Sequence, residues 1–352
     1  MLGAAEREDP AILRAALGTP TFRVGPSRAS RSFATDVPLH VGRSRALLKI
    51  QDGCDSFCAY CIVPYVRGRS RSLPVTDALE RARRLLETGF PEIVLTGADL
   101  GDYPSLARLV EAMLALGDRD HRVRLSSIEP HKLDPALAAM IGAEPRLCRH
   151  LHLPLQSGSD RILGSMRRGY TSAEYGALLE RITARGPVGI GADVIVGFPG
   201  EGEGEFQETL RFVEQAPITF LHVFRYSPRP GTAATRLPGA ASDSVVRERA
   251  ERLRALGAEK AAAFRRSLVG SSVPVVMERG RGPRGPIAMS DVYVPIEVEG
   301  ATSLPSFVFD VRVHEENGDR LVGSPIVGDR PRNDGDSPRG ELNPMTTCAG
   351  AS

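Results

Sequence analysis

Cysteine is scarce in this chain: five among 352 residues, an odd number with three of them inside eight positions. That usage excludes a secreted disulfide framework and points to a reducing, cytoplasmic setting. No apolar run approaches the length needed to cross a bilayer, and the residues after Met1 lack an apolar signal core, so no membrane partner is expected. There is no internal repeat at solenoid periods. Tryptophan is absent and aromatics amount to 5%, in a composition otherwise ordinary for a globular protein at 41% hydrophobic and 25% charged. Net charge is only +2, so the molecule is not a polycation, and any nucleic-acid contact must come from local clusters of Arg and Lys.

What is present is organised. A chain of this length can bury a full core, and one large domain with one small domain is the natural partition. Residues 1–45, rich in Ala, Arg, Ser and Pro without a period, read as a poorly ordered lead-in. From residue 46 to 268, apolar runs at 47–50, 93–96, 123–128, 150–155, 190–196 and 220–226 alternate with helical patterns. Those patterns lie at 77–88, 106–116, 135–141, 172–184, 203–215 and 242–268. Six strand–helix units predict an α/β fold, a partial (β/α)6 barrel whose chemistry belongs at the carboxyl ends of the strands. From 269 to 326 the texture turns to short β segments (273–278, 291–298, 307–313, 320–322) with a Gly/Pro turn at 280–285. This predicts a small antiparallel barrel of some five strands. The polar, Pro/Gly-rich tail at 327–352 reads as disordered.

The chemistry-bearing feature is Cys54-Asp-Ser-Phe-Cys58-Ala-Tyr-Cys61. Three thiolates spaced C-x3-C-x2-C can face one point, one short of a closed tetrahedral shell, which leaves a metal position open for another ligand. A structural zinc site completed by a distant His or by Cys148 is the competing reading, but no second C-x2-C or H-x3-H accompanies the cluster. Its place directly after the first strand, at the catalytic end of the predicted barrel, favours an iron–sulfur centre. His150 and His152 are two apart on a strand and share a side; satisfied structural histidines are the better reading than a metal pair. Cys148 reads as a small buried hydrophobe and Cys348 as a tail thiol.

Seven ordered motifs carry a resemblance. They are LLKIQDGCDSFCAYCIVPYVRGRSRS (47–72), EIVLTG (92–97), RLSSIEP (124–130), HLPLQSGS (152–159), MRRGYT (166–171), DVIVGFPGE (193–201) and FRYSPRPGTA (224–233). In this order they resemble the radical S-adenosylmethionine methylthiotransferases. The resemblance implies one 4Fe–4S cluster on Cys54, Cys58 and Cys61. Its fourth iron would be chelated by S-adenosylmethionine, which is cleaved to a 5′-deoxyadenosyl radical. It also implies an electron donor such as flavodoxin or ferredoxin, a tRNA anticodon loop as partner, a monomer in solution, and a TRAM-like C-terminal barrel that holds RNA.

Residue by residue, the resemblance sets Tyr60 near the adenine and Thr96 with Gly97 at the methionine ammonium. Ser127 and Glu129 would lie beside the cationic cofactor, and Gln156 and Ser157 at the ribose. Asp193 and Gly197 lie along the fifth strand, with Asp193 in the cofactor set, and Arg168 is the candidate for the cofactor carboxylate. Arg67, Arg69 and Arg71 after the cluster, and Arg279, Arg281 and Arg284 in the small barrel, are candidate phosphate contacts. RLSSIEP, with Ser127 and Glu129, is more similar to the branch that converts N6-threonylcarbamoyladenosine next to the anticodon to its 2-methylthio form. The branches acting on isopentenyladenosine tRNA or a ribosomal protein are the first alternative; a non-catalytic, zinc-containing RNA-binding fragment is the second. The family also carries an N-terminal domain with three further cysteines and a second 4Fe–4S cluster. Only 53 residues precede Cys54, none of them Cys, and Cys148 and Cys348 do not replace that set. The expectation is either a late start or a chain that makes the radical without inserting sulfur unaided.

Overall fold

The computed structural model describes residues 44–117, 121–300 and 307–326. The expected lead-in before residue 44, the expected tail from 327 and Cys348 lie outside the described residues. In chain order the first half contains β1 (Ala46–Lys49), β2 (Gln51–Asp52), α1 (Val63–Val66), β3 (Arg71–Ser72), α2 (Val75–Glu87), β4 (Glu92–Thr96), α3 (Leu106–Leu114) and β5 (Arg122–Leu125). There follow α4 (Pro135–Met140), β6 (His150–His152), α5 (Asp160–Met166), α6 (Ser172–Thr183), β7 (Gly189–Val196), α7 (Glu203–Gln215), β8 (Phe220–Arg225) and α8 (Asp243–Ser267).

Strands β1, β4 and β5 pair in parallel, as do β6, β7 and β8. The two halves are joined by the parallel bridges Val123 to Leu147 and Ser127 to His152. Six strands in sequence order, each crossing over through helix, make a curved sheet with helices on its outer face. Alternation sets the layers. Leu48, Ile93, Leu95, Val123, Leu125, Ile190, Ala192 and Val194 point outward into the helices and are at most 1% exposed. Each fully buried Leu, Ile or Val of this set contributes about 1.5–3 kcal/mol. The helices meet them with one apolar stripe, as Ala78, Ala82 and Leu85 do on α2. Capping fixes their starts: Thr171 and Glu174 close a reciprocal capping box on α6.

The small barrel is closed, with β9 (Ser272–Arg281), β10 (Pro286–Ser290), β11 (Pro295–Val298), β12 (Phe309–Asn317) and β13 (Arg320–Pro325). Their order around the ring is β10-β11-β13-β12-β9. All pairings are antiparallel except β11 with β13. Two boundaries differ from the sequence reading. The run 291–298 is half turn: residues 291–294 form it, and Ser290 Oγ donates to Val294 O (2.8 Å) and accepts from its N–H (2.9 Å). The missing strand is β10, hidden because its flanking Gly and Pro residues read as turn. The run 150–155 likewise stops at His152, before Pro154, which offers no N–H to a ladder.

The small barrel sits under the amino ends of the parallel strands. Arg122 donates to Pro274 O (2.9 Å) and Met289 O (2.8 Å). Arg124 donates to Asp291 O (2.9 Å) and Ser290 O (2.8 Å). Both guanidiniums also bond the fully buried Glu92 (2.6 and 2.7 Å). Burial alone would raise the Glu92 carboxyl, but Arg122 and Arg124 hold it at about 2.

Candidate functional site

The opposite, carboxyl ends of the strands carry the cysteines. Cys54, Cys58 and Cys61 lie in the loop between β2 and α1; Cys58 is buried and the other two half-buried. The loop enters through Gly53 at φ 76°, where a Cβ would stand 2.1 Å from Arg69 O, so only glycine fits. Gln51, fully buried, ties the loop to the sheet. Its amide donates to Gly53 O and Ser70 Oγ (both 2.9 Å), and its oxygen accepts from Ala98 N (2.8 Å) and Asp99 N (3.0 Å). Asp99 accepts from the Glu129 N–H (3.1 Å) and pairs with Lys132 (2.8 Å), which reaches Ser56 Oγ (2.8 Å) and Asp102 (2.6 Å). Burial opposes the Lys132 charge, but Asp102 and Asp99 hold its ammonium above the usual range. The loop therefore hangs from the ends of β4 and β5 by charge-assisted bonds.

Across the mouth, Arg168 forms a two-pronged pair with Glu129, Nη1 lying 2.9 Å from Oε1. The same guanidinium donates to Cys58 Sγ (3.3 Å), Tyr60 OH (3.3 Å) and Pro154 O (3.0 Å). Tyr170 braces it, accepting from Nε (3.1 Å) and donating to Pro154 O (2.7 Å). Burial pushes the Glu129 carboxyl above its usual range, with Arg168 opposing. Burial also raises the thiols of Cys54 and Cys61, so in this setting thiolates need a positive partner. Tyr60 packs with Phe198 and Ala234.

Of the residues picked from sequence, the structure brings Cys54, Cys58, Cys61, Tyr60, Glu129 and Arg168 into one contact network. Thr96 ends β4 and Gly97 follows it; a Cβ on Gly97 would stand 2.8 Å from Gln51 Oε1. Ser127 pairs with His152 through the backbone. Gln156 stands at φ 69°, a strained setting for a non-glycine residue, and its Oε1 is buried without a hydrogen-bond partner among the described residues. Ser157 is buried with its Oγ 3.1 Å from Thr209 Oγ1. Asp193 turns its carboxylate to His152 Nε2 at 3.1 Å.

The arginines expected to form a ridge are ion-paired within the loop: Arg67 and Arg71 with Asp52 (3.5 and 2.9 Å), and Arg69 with Asp55 (2.9 Å). Arg71 is turned inward, its side chain 14% exposed, while Arg69 is 72% exposed. Arg279 and Arg281 are exposed at the end of β9, and Arg284 pairs with Glu315. Sequence reading missed Gln51, Asp99, Lys132 and Tyr170. A usable signal was polar residues placed at predicted strand ends, where solvent-facing loops need no Gln.

The residues fit a 4Fe–4S cluster with S-adenosylmethionine. Three soft thiol donors share one loop, a carboxylate and a guanidinium flank them, and an orphaned amide oxygen waits at the neighbouring strand end. Among the described residues no helix is long and apolar enough to cross a membrane.

Comparison with known proteins agrees. The Radical SAM superfamily profile matches residues 48–213. The tRNA-2-methylthio-N(6)-dimethylallyladenosine synthase of Pelobacter propionicus is 37% identical over 298 residues, 81% of this chain and 67% of that protein. The threonylcarbamoyladenosine tRNA methylthiotransferase of Aquifex aeolicus is 36% identical over 272 residues, 75% of this chain and 65% of that protein. The chain spans from 51% to 67% of the lengths of such curated relatives. Coproporphyrinogen III oxidase of Escherichia coli, described as a radical SAM enzyme, shares the fold, with a TM-score of 0.50 at 15% identity over 81% of this chain and 72% of that one. The chain belongs to the radical S-adenosylmethionine methylthiotransferase family.

Proposed function

We propose that this chain is the radical-generating core of a tRNA methylthiotransferase whose substrate base is N6-threonylcarbamoyladenosine next to the anticodon. The observation that supports this branch is a pair of unsatisfied polar groups in the barrel lumen. A cavity of about 650 Å³, walled by Leu47, Val94, Phe220 and Tyr293 as well as by polar side chains, holds the buried Ser126 Oγ and His150 Nδ1, neither with a hydrogen-bond partner among the described residues. Those two groups could bond a carbamoyl group or a carboxylate, whereas an isopentenyl group would leave both desolvated and unmatched.

Cys54, Cys58 and Cys61 would hold the cluster, whose chemistry when bound would be one-electron reduction of the sulfonium of S-adenosylmethionine. The chain's own part is positioning. Arg168 and Glu129 hold opposite charges at the mouth, where the carboxylate and ammonium of an amino acid would exchange partners with them. Tyr60 offers an aromatic face and Gln156 a free acceptor for a hydroxyl. Thr96 and Ser127 stand at strand ends around the same opening, and Asp193 lies deeper in the lumen. Exposed Arg69, Arg279 and Arg281 would contact phosphates, their salt-dependent attraction adding affinity without base specificity.

The test is anaerobic turnover of the reconstituted chain with two anticodon stem-loops, one carrying threonylcarbamoyladenosine and one isopentenyladenosine. The expected result is faster 5′-deoxyadenosine release with the first. Faster release with the second would assign the chain to the other branch. Stoichiometric zinc with no release under either condition would sink the enzyme reading altogether.

A further inference from the structure

The lumen holds a second set of metal-type donors, which the cysteine loop does not use. His152 on β6, Asp193 on β7 and His222 on β8 stand on three adjacent strands. His152 Nε2 is 3.1 Å from Asp193 Oδ2. The His152 and His222 rings lie 5.6 Å apart at 47°. One donor atom from each residue lies within 4.8 Å of the other two. Metal bonds of about 2.0–2.2 Å to nitrogen and oxygen draw such donors to ~3–3.5 Å from one another. A small shift of the exposed His222 side chain closes that gap.

The strand is cut to fit the imidazole. A Cβ on Gly191 would stand 2.7 Å from His152 Nδ1, so the ring lies against bare backbone. Arg124, the guanidinium in the same cavity, is bonded to Glu92 and to carbonyls of the small barrel, which leaves the Asp193 carboxylate to the histidines. One histidine suffices for a carboxylate–imidazole pair; a second imidazole beside the same carboxylate is the donor set of mononuclear zinc and ferrous sites, with open positions on the far side.

We infer that His152, Asp193 and His222 bind one divalent first-row ion, zinc or ferrous iron, in the barrel lumen, separate from the cysteine loop. The open coordination positions face the cavity, where an oxygen ligand would enter. The inference rests on the geometry of these three residues and stands whatever the substrate branch.

Cobalt(II) serves as the probe, titrated into the anaerobically reconstituted chain and displaced by zinc. The expected result is one equivalent of cobalt with ligand-field bands and no sulfur-to-metal charge transfer. His222→Ala and Asp193→Asn should each weaken that binding at least ~10-fold while cluster absorbance and melting temperature hold. A Cys61→Ala chain should keep the site, since its donors are not thiols. Absence of binding, a sulfur charge-transfer band in its place, or undiminished affinity in both lumen variants would each overturn the inference.

Discussion

Two buried glutamate–arginine assemblies stand at opposite ends of the same parallel strands, and they are built for different ends. At the amino end, Glu92 is shared by Arg122 and Arg124, and the remaining guanidinium hydrogens go to carbonyls of the small barrel. At the carboxyl end, Glu129 meets Arg168, whose other hydrogens go to Tyr60, Cys58 and Pro154. Glu92 is 0% exposed at its side chain and Glu129 is 14%. Full satisfaction closes the first assembly and makes it a clamp between domains. The second keeps one edge toward solvent and toward the thiols, so its charges can exchange partners with a ligand.

The difference can be broken from either side. The largest effect is expected at the carboxyl end in activity alone. Cys58→Ala should abolish iron-dependent 5′-deoxyadenosine formation, with iron content per chain falling, while the unfolding free energy of the cluster-free protein from denaturant titration changes by no more than ~1 kcal/mol. Next comes Glu92→Gln, which strands two buried guanidiniums and should cost about 3–5 kcal/mol of stability in denaturant unfolding. Equal stability loss from Glu129→Gln would erase the proposed contrast.

Acid should act on the same clamp. The Glu92 carboxyl is held at about 2 against an ordinary 4.5, so its contribution is fully present above 4.5 and is lost as pH falls toward 2. Roughly 3 kcal/mol should disappear across that window, and Glu92→Gln should flatten this part of the stability–pH curve. At the mouth, Arg168→Met should weaken S-adenosylmethionine binding about 10–100-fold by isothermal titration, with a smaller stability loss because Glu129 can take up water. The smallest effect is expected at the small barrel's rim. Arg281→Glu should weaken tRNA binding a few-fold and lower the slope of log affinity against log salt by about one.

Much of this arrangement was legible in the chain. The six predicted core strands and six predicted helices fell within a few residues of observed ones because both periods are strong, whereas α5 and β10 were not foreseen. β7 alternates outward Ile190, Ala192 and Val194 with inward Gly191 and Asp193. The cysteine loop declared itself through spacing. The supports did not. Gln51 sits 47 residues from the Ala98 amide it holds, and Lys132 sits 76 from Ser56. No local pattern marks partners that far apart. The arginine run 67–71 shows the converse: its local charge suggested an open ridge, but carboxylates at Asp52 and Asp55 fold back onto it.

The sequence by itself determined the six-unit α/β core, the five-stranded companion and the trio Cys54, Cys58 and Cys61, since periodicity and spacing are properties of neighbours. Only the tertiary structure decided which buried charges close on themselves and which face a ligand. It also decided that His152, Asp193 and His222 bring their donor atoms within 4.8 Å of one another. Those outcomes depend on strands far apart in the chain being laid side by side, and that juxtaposition sets whether a charged group is neutralised within the protein or left for something else to bind.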